Sequence, residues 1–177
     1  MELKEFVTAI LELYKIEDVS MLNHCLLNSA LNHDASMYDA YLELVSGDLK
    51  KDYLRNIFQY YQADRKEKMQ DYTPDCLAVF MGQFISKDNE VIIDLCAGSG
   101  TLAINAHNHG AKGVFELYEI DDNVIGYLLF NLAVRNMNGT AYLSDVLKRK
   151  IYKKYTVQED EKYSKVCEEV MYENIFN

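Results

Sequence analysis

A cluster of small residues and a distant carboxylate are the features of this sequence best suited to chemistry. Ala97, Gly98 and Gly100 follow a short apolar run at 90–95. Because these residues have little or no side chain, the backbone N–H groups of such a turn can approach a ligand closely. Glu119 lies 21 residues after Gly98, at the end of the next apolar run, where a carboxylate could accept hydrogen bonds from both hydroxyls of a ribose. Together they predict a nucleotide-like ligand between the turn and Glu119.

The same residues also allow simpler interpretations. An ordinary tight turn and a solvated carboxylate at a strand end would give the same pattern. Glu116 is a weaker candidate, because its side chain should point away from that of Glu119. Ala103 stands where a nicotinamide-dinucleotide motif often has its third glycine, and alanine is accepted there, so the spacing does not decide the cofactor. Asp121 and Asp122 are predicted to cap the following helix.

The elements that must position these residues predict an α/β fold. Short β-branched runs occupy 90–95, 114–120 and 141–145, and helix-periodic segments occupy 101–109 and 123–135. This order is typical of a parallel, doubly wound sheet. Upstream, helical spacing extends through the first 60 residues and from 49 to 69, and Pro74 suits the first turn of another helix. We therefore predict a helical N-terminal subdomain over 1–69 and an α/β domain over 70–177.

Composition limits the partners of the chain. Its 177 residues carry a formal net charge of −10, so the surface as a whole repels phosphates and any DNA contact must be local or shared with a partner. The basic run at 148–154 is interpreted as a solvated loop, with phosphate contact as the alternative. Four scattered cysteines predict reduced, mostly buried thiols and no metal site. The lack of an apolar span or signal peptide predicts a cytoplasmic protein without membrane contact.

Four sequence elements, taken in order, resemble one known family. They are Tyr72-Thr73-Pro74, the segment DLCAGSGTLAI from Asp94 to Ile104, Tyr118-Glu119-Ile120-Asp121 and Ser144-Asp145-Val146-Leu147. The set resembles class I S-adenosylmethionine-dependent methyltransferases, especially the adenine-specific DNA methyltransferases related to modification subunits of type I restriction systems. This resemblance implies a Rossmann-like fold, S-adenosylmethionine as the cofactor, and methyl transfer to the exocyclic amine of adenine.

The resemblance also implies roles for single residues. Asp94 would bind the ammonium group of the cofactor, Thr73 its carboxylate, and Asp145 its adenine amine. Their alternative roles are bracing of the loop for Asp94, an N-cap for Thr73, and capping for Asp145. The complete set of predicted cofactor-binding residues is Tyr72, Thr73, Pro74, Asp94, Ala97, Gly98, Ser99, Gly100, Thr101, Glu119, Ile120, Asp145 and Val146.

The catalytic element of this family is missing from the sequence. In amino-methylating members, a fourth strand is followed by Asn, Asp or Ser, two prolines and an aromatic residue, which bind the target amine and stack on the flipped base. Here no proline follows Pro74. The catalytic residues are therefore unknown, and Cys96 has no identifiable base that would make it a nucleophile.

The tail from Leu147 predicts no further buried parallel strands. The first strand, at 90–95, should then be an unpaired apolar edge, and such edges associate. We expect the chain to be a fragment of a larger enzyme, a homo-oligomer, or a chain completed by another polypeptide, with DNA bound through the complete assembly. Two alternatives to an adenine-specific enzyme remain: a catalytically inactive methyltransferase-like partner or regulatory subunit, and a methyltransferase acting on a protein or small molecule.

Overall fold

The computed structural model describes residues 2–64, 66–67, 70–85, 88 and 90–170. Its helices are α1 (Leu3–Tyr14), α2 (Leu22–Leu31), α3 (Ala35–Leu44), α4 (Tyr53–Tyr61), α5 (Asp75–Phe84), α6 (Thr101–Asn108) and α7 (Asp122–Val134), with a 3-10 turn at Val19–Met21. Its strands are β1 (Val91–Asp94), β2 (Val114–Glu119), β3 (Gly139–Asp145), β4 (Lys150–Gln158) and β5 (Lys165–Glu169). Helices fill the N-terminal third, as predicted.

The five strands form one sheet in the order β1-β2-β3-β4-β5. β1, β2 and β3 run parallel, with Ile93 paired to Glu116 and Glu116 paired to Thr140. Parallel neighbours need a long crossover, and α6 and α7 provide the two crossovers here. The predicted α/β class, with Rossmann-like parallel strands after an α-helical N-terminal region, is confirmed.

Strands β4 and β5 continue the sheet with antiparallel pairing and are not predicted by the sequence pattern. The solvated-loop interpretation of 148–154 is wrong from Lys150 onward, because β4 begins there. The pairing of β3 with β4 shifts register between Leu143 and Ser144. Such an irregularity interrupts the two-residue alternation of buried side chains, so the periodicity of β4 is weak in the sequence.

Aspartate side chains fix where several helices begin. Asp34, Asp52 and Asp121 each precede a helix and accept a hydrogen bond from a backbone N–H of its first turn. The capping role predicted for Asp121 and Asp122 is thereby confirmed for Asp121 and wrong for Asp122, which is the first residue of α7 itself. Pro74 directly precedes the first residue of α5, a position that its missing N–H and fixed φ suit.

Helix α4 is shorter than the periodic segment at 49–69 predicts. It begins after Asp52 and ends at Tyr61. Gln62 terminates it, because its side-chain amide donates to the Val19 carbonyl at 2.6 Å and accepts from the Tyr127 hydroxyl at 2.9 Å. The remainder of the predicted helix includes positions 65, 68 and 69, which lie outside the described residues.

The N-terminal helices and the sheet share one hydrophobic core. Phe130 of α7 lies at its centre and meets the rings of Tyr38 and Tyr41, each with a centroid distance of 5.2 Å. Phe115 of β2 belongs to the same cluster of buried side chains. The predicted domain boundary between 69 and 70 stays a prediction, while the core is continuous across it.

Strand β1 lies at one edge of the described sheet, as the sequence predicts. Ile93 and Leu95 are 60% and 56% exposed, and α5 adds the exposed rings of Phe80 and Phe84. An edge strand presents unpaired backbone N–H and C=O groups along its outer side. The exposed Ile93 of β1 and the exposed Leu95 that follows it therefore lie close to backbone groups that can pair with another strand.

The cysteines differ from the prediction of mostly buried thiols. All four are free, but Cys76, Cys96 and Cys167 are exposed, and only Cys25 is half-buried. Cys76 lies in the first turn of α5, Cys96 in the glycine turn and Cys167 on β5. Within the described ranges, every helix is too short or too polar to span a bilayer.

Candidate cofactor-binding site

A cavity of about 400 Å³ lies where the carboxyl ends of β1, β2 and β3 meet the segment that precedes α5. Parallel sheets bind ligands at this end of their strands. The residues that line it are Gln70, Asp71, Tyr72, Thr73, Asp94, Leu95, Cys96, Ala97, Gly98, Thr101, Leu102, Glu119, Ile120, Ser144, Asp145, Val146 and Leu147. All four motifs that carry the family resemblance therefore reach one hollow.

The floor of the cavity is the turn that joins β1 to α6. Gly98 and Gly100 have φ of +55° and +92°, backbone conformations that residues with a Cβ rarely adopt. A Cβ on Gly98 would lie 3.3 Å from the Tyr72 ring, and one on Gly100 would lie 2.9 Å from Leu128. The Ala97 amide donates to the Tyr118 carbonyl at 2.9 Å, which ties the turn to β2. Both the backbone conformation and the close neighbours therefore favour glycine at these two positions.

Glu119 closes the cavity at the end of β2 and is 8% exposed. Its Oε2 accepts from the Gly98 amide at 2.7 Å, and its Oε1 accepts from the amides of Ile120 and Asp121, each at 2.8 Å. Burial raises the pKa of this carboxyl, although the three amides act in the opposite direction. Glu116 lies on the other face of the same strand, as predicted.

Asp94 brings a carboxylate to the end of β1. Its Oδ1 accepts from the Cys96 amide at 3.1 Å. Its Oδ2 is buried and has no hydrogen-bond partner among the described residues, and the same holds for the Ser144 hydroxyl. Burial raises the pKa of Asp94. Buried polar atoms of this kind are normally satisfied, so two of them beside one cavity indicate space for a polar ligand.

Asp145 at the end of β3 is already engaged. Its Oδ1 accepts from the Lys148 amide at 3.0 Å, and its Oδ2 lies 2.9 Å from the Lys148 ammonium. These contacts with Lys148 hold the pKa of Asp145 below its usual range. No helix follows Asp145 in the described structure, so instead of capping a helix it closes the turn between β3 and β4 while it lines the cavity.

Tyr72 and Thr73 form the wall opposite the glycine turn. The Tyr72 ring packs against Phe58 with a centroid distance of 5.9 Å, and burial raises the pKa of its phenol. The Thr73 carbonyl accepts from Arg55 at 2.9 Å. Pro74 rather than Thr73 occupies the N-cap position of α5, and no side chain caps that helix.

Ten of the thirteen predicted cofactor-binding residues line the cavity, and Pro74, Ser99 and Gly100 do not. The Ser99 hydroxyl instead donates to Asp52 at 2.6 Å. Five further lining residues lie within the quoted motifs, namely Leu95, Cys96, Leu102, Ser144 and Leu147. Gln70 and Asp71 carry no sequence signal except that they precede Tyr72.

Comparison with known proteins adds one decisive match. A model of the N-6 DNA methylase family matches residues 47–176, from just before α4 to beyond β5. The chain belongs to the N-6 DNA methylase family. Searches of curated proteins and of solved structures found no match. The methylase match includes both walls of the cavity and also α4, which the sequence analysis assigned to the helical subdomain.

Neither metal chemistry nor a cysteine nucleophile has support at this site. Among the described residues, no group of three or more His, Cys, Asp or Glu side chains is arranged to hold a metal ion. Burial, reinforced by Glu119 and Asp94, raises the pKa of the Cys96 thiol. A raised pKa lowers the fraction of reactive thiolate.

Proposed function

We propose that this methylase-family chain binds S-adenosylmethionine in the cavity and serves as the cofactor-binding module of an adenine-specific DNA methyltransferase, of the kind found in restriction–modification systems. The observation that carries the proposal is the meeting of four separate motifs at one cavity that also holds an unpartnered buried carboxylate oxygen, Asp94 Oδ2. The bound cofactor would supply an activated methyl group on a sulfonium centre.

The residues of the cavity match the parts of this cofactor. Asp94 Oδ2 can accept hydrogen bonds from an ammonium group, and Thr73 can donate its hydroxyl to a carboxylate. Gly98 lines the cavity without a side chain, so its backbone can approach a nucleoside closely. Asp145 can accept from an adenine amine, in addition to or in place of its contact with Lys148.

Glu119 has few hydrogen-bond acceptor positions left for a ribose. A carboxylate has about four lone-pair positions, and three backbone amides already occupy three of them. The remaining position is on Oε2, so Glu119 accepts one ribose hydroxyl as it stands. Acceptance of both hydroxyls, as the sequence predicts, requires one of these three amides to release its position.

Calorimetric titration tests the cofactor half of this proposal. The chain should bind S-adenosylmethionine and S-adenosylhomocysteine, and it should not bind NAD⁺, which tests the alternative that the glycine spacing leaves open. Absence of heat with both sulfur compounds, or tighter binding of NAD⁺, would refute the assignment.

Catalysis is the half of the proposal that needs more than this chain. No proline follows Pro74, so no Pro-Pro element is present to hold a flipped adenine. This observation favours a second candidate function, a cofactor-binding partner that is itself inactive. We expect no methyl transfer to adenine-containing DNA by the chain alone. Transfer by the isolated chain would overturn the second candidate.

We further propose that a strand of another polypeptide covers β1. The exposed Ile93 and Leu95 give this edge an apolar surface, and the net charge of −10 opposes pairing of two identical copies. Light scattering should therefore find a monomer, with or without Ile93→Lys. A dimer that Ile93→Lys dissociates would refute the proposal and assign the edge to a second copy.

A further inference from the structure

Asp52, the residue before α4, is a buried carboxylate in direct contact with the glycine turn. It is 6% exposed. Its Oδ2 accepts from the hydroxyls of Ser99 and Thr101 at 2.6 and 2.7 Å, and its Oδ1 accepts from Asn131 Nδ2 at 2.9 Å and from the Arg55 amide at 3.0 Å. Four donors thus converge on the two oxygens of one carboxylate.

The two hydroxyl contacts lie on either side of Gly100. Ser99 and Thr101 flank this glycine, whose φ of +92° makes the sharp change of direction between β1 and α6. Because both hydroxyls bind the same oxygen, they hold the residues before and after the bend at a fixed separation. Hydrogen bonds to a carboxylate are shorter and stronger than those between neutral groups.

Asp52 is held in place from the opposite side by α7. Asn131 bridges Asp52 and the Ser99 carbonyl through Nδ2, with both distances at 2.9 Å. Arg135 in turn donates to Asn131 Oδ1 at 2.8 Å and to the carbonyls of Leu49 and Lys51. The turn, the start of α4 and α7 therefore form one buried polar network.

Arg55, in the first turn of α4, reaches the other wall of the cavity. Its Nη1 donates to the Thr73 carbonyl at 2.9 Å, and its Nη2 lies 2.6 Å from Asp75 at the start of α5. The Arg55 amide is itself a donor to Asp52. One helical turn thus contacts the glycine turn on one side and the Tyr72–Thr73 wall on the other.

We infer that Asp52 is a positioning residue that holds the glycine turn in its cofactor-binding conformation, with Arg55 holding the facing wall. The helices that precede the sheet thereby take part in cofactor binding without touching the cofactor. The functional consequence rests on the proposed S-adenosylmethionine site, whereas the hold on the turn is a property of the chain alone.

The test compares two N-cap substitutions of the same type. Asp52→Asn keeps one oxygen for helix capping and replaces the oxygen that accepts both hydroxyls by an NH₂ group. Asp34→Asn is the matched control, since Asp34 caps α3 and its carboxylate accepts hydrogen bonds from Ser36 and Met37 in the first turn of that helix. Amide hydrogen exchange and S-adenosylhomocysteine binding are measured well below the unfolding midpoint, which circular dichroism gives for each variant.

Asp52→Asn should accelerate exchange in the segment 97–101 and weaken S-adenosylhomocysteine binding, each by about tenfold, the change expected from the loss of one hydrogen bond to a charged group. Asp34→Asn should change neither by more than about twofold, because asparagine caps helices as well as aspartate. Ser99→Ala removes one of the two hydroxyls, so it should accelerate exchange in the same segment. In the double variant with Asp52→Asn it should add nothing.

Unchanged exchange at 97–101 in Asp52→Asn, or equal acceleration in Asp34→Asn, would overturn the inference. If Asp52→Asn does not fold, Ser99→Ala decides in its place, and normal exchange in that variant refutes the hold on the turn. A parent chain that binds neither S-adenosylmethionine nor its demethylated product refutes the proposed function instead, and hydrogen exchange still decides the role of Asp52.

Discussion

Glu119→Gln tests the hydrogen bonds that connect the glycine turn to the second strand. Glutamine can keep one oxygen for the amides of Ile120 and Asp121, but it places an NH₂ group where Oε2 now accepts from Gly98 at 2.7 Å. Loss of a hydrogen bond to a charged group costs about 1.5–3 kcal/mol. The neutral side chain recovers part of this in stability, because burial already disfavours the charged form and raises the pKa of Glu119.

Glu119→Gln should therefore lower the free energy of ligand binding more than the free energy of unfolding. The ribose hydroxyl loses its charged acceptor, which is again about 1.5–3 kcal/mol and weakens S-adenosylhomocysteine binding by about ten- to a hundredfold. The unfolding midpoint should fall by only a few degrees, since about 1 kcal/mol corresponds to roughly 2–4 °C in a chain of this size.

Titration calorimetry measures the affinity, and circular dichroism measures the unfolding midpoint. Glu116→Gln is the matched control, because it makes the same chemical change on the same strand but on the face turned away from the cavity. Its affinity should stay within about twofold of the parent, as expected for a surface substitution distant from the ligand. Equal affinities for the two variants would show that Glu119 does not contact the ribose.

Three further substitutions test other parts of the structure. Burial raises the pKa of Asp94, and the ammonium contact needs the charged form of this carboxyl, so the affinity for S-adenosylhomocysteine should fall as the pH drops through that raised pKa. The Asp94→Asn variant should bind this ligand more weakly at neutral pH, and its affinity should depend less on pH. An unchanged pH profile in the variant would contradict the contact. Gly100→Ala combines a positive φ with a Cβ 2.9 Å from Leu128 and should lower stability by about 1–2 kcal/mol in chemical unfolding, an effect that a conformationally relaxed turn would not show. Gly126→Ala would place a Cβ 2.0 Å from the Asn23 carbonyl oxygen, so the melting temperature should fall by about 4–12 °C, for a cost of about 2–3 kcal/mol; an unchanged melting curve means that α2 and α7 pack less closely.

Much of the fold follows from local pattern. β-branched runs and a proline next to a helical segment locate β1, β2, β3 and α5 because their periodicity is undisturbed. β4 escapes prediction because its register shift breaks the alternation and its lysines resemble a solvated loop. The end of α4 depends on tertiary contacts of Gln62 with Val19 and Tyr127, which no local pattern contains.

The residues of the site likewise divide into those that the local sequence pattern predicts and those that it does not. Residues inside the four motifs are predictable because a turn after one parallel strand and a carboxylate at the end of the next lie at the same end of the sheet. Asp52 and Arg55 are distant in sequence from those motifs, and an aspartate three residues before an arginine at a helix start is a common surface arrangement. Only the folded chain brings Asp52 beneath Ser99 and Thr101.

The position of β1 at the sheet edge has a thermodynamic consequence. This four-residue strand, which leads into the glycine turn, is paired on one side only within the described sheet, so its local opening should need less free energy than that of β2 or β3. A polypeptide that paired with its free side would suppress that fraying and preorder the bend. By linkage, a ligand seated on the bend would then strengthen the docking of that polypeptide by the same factor.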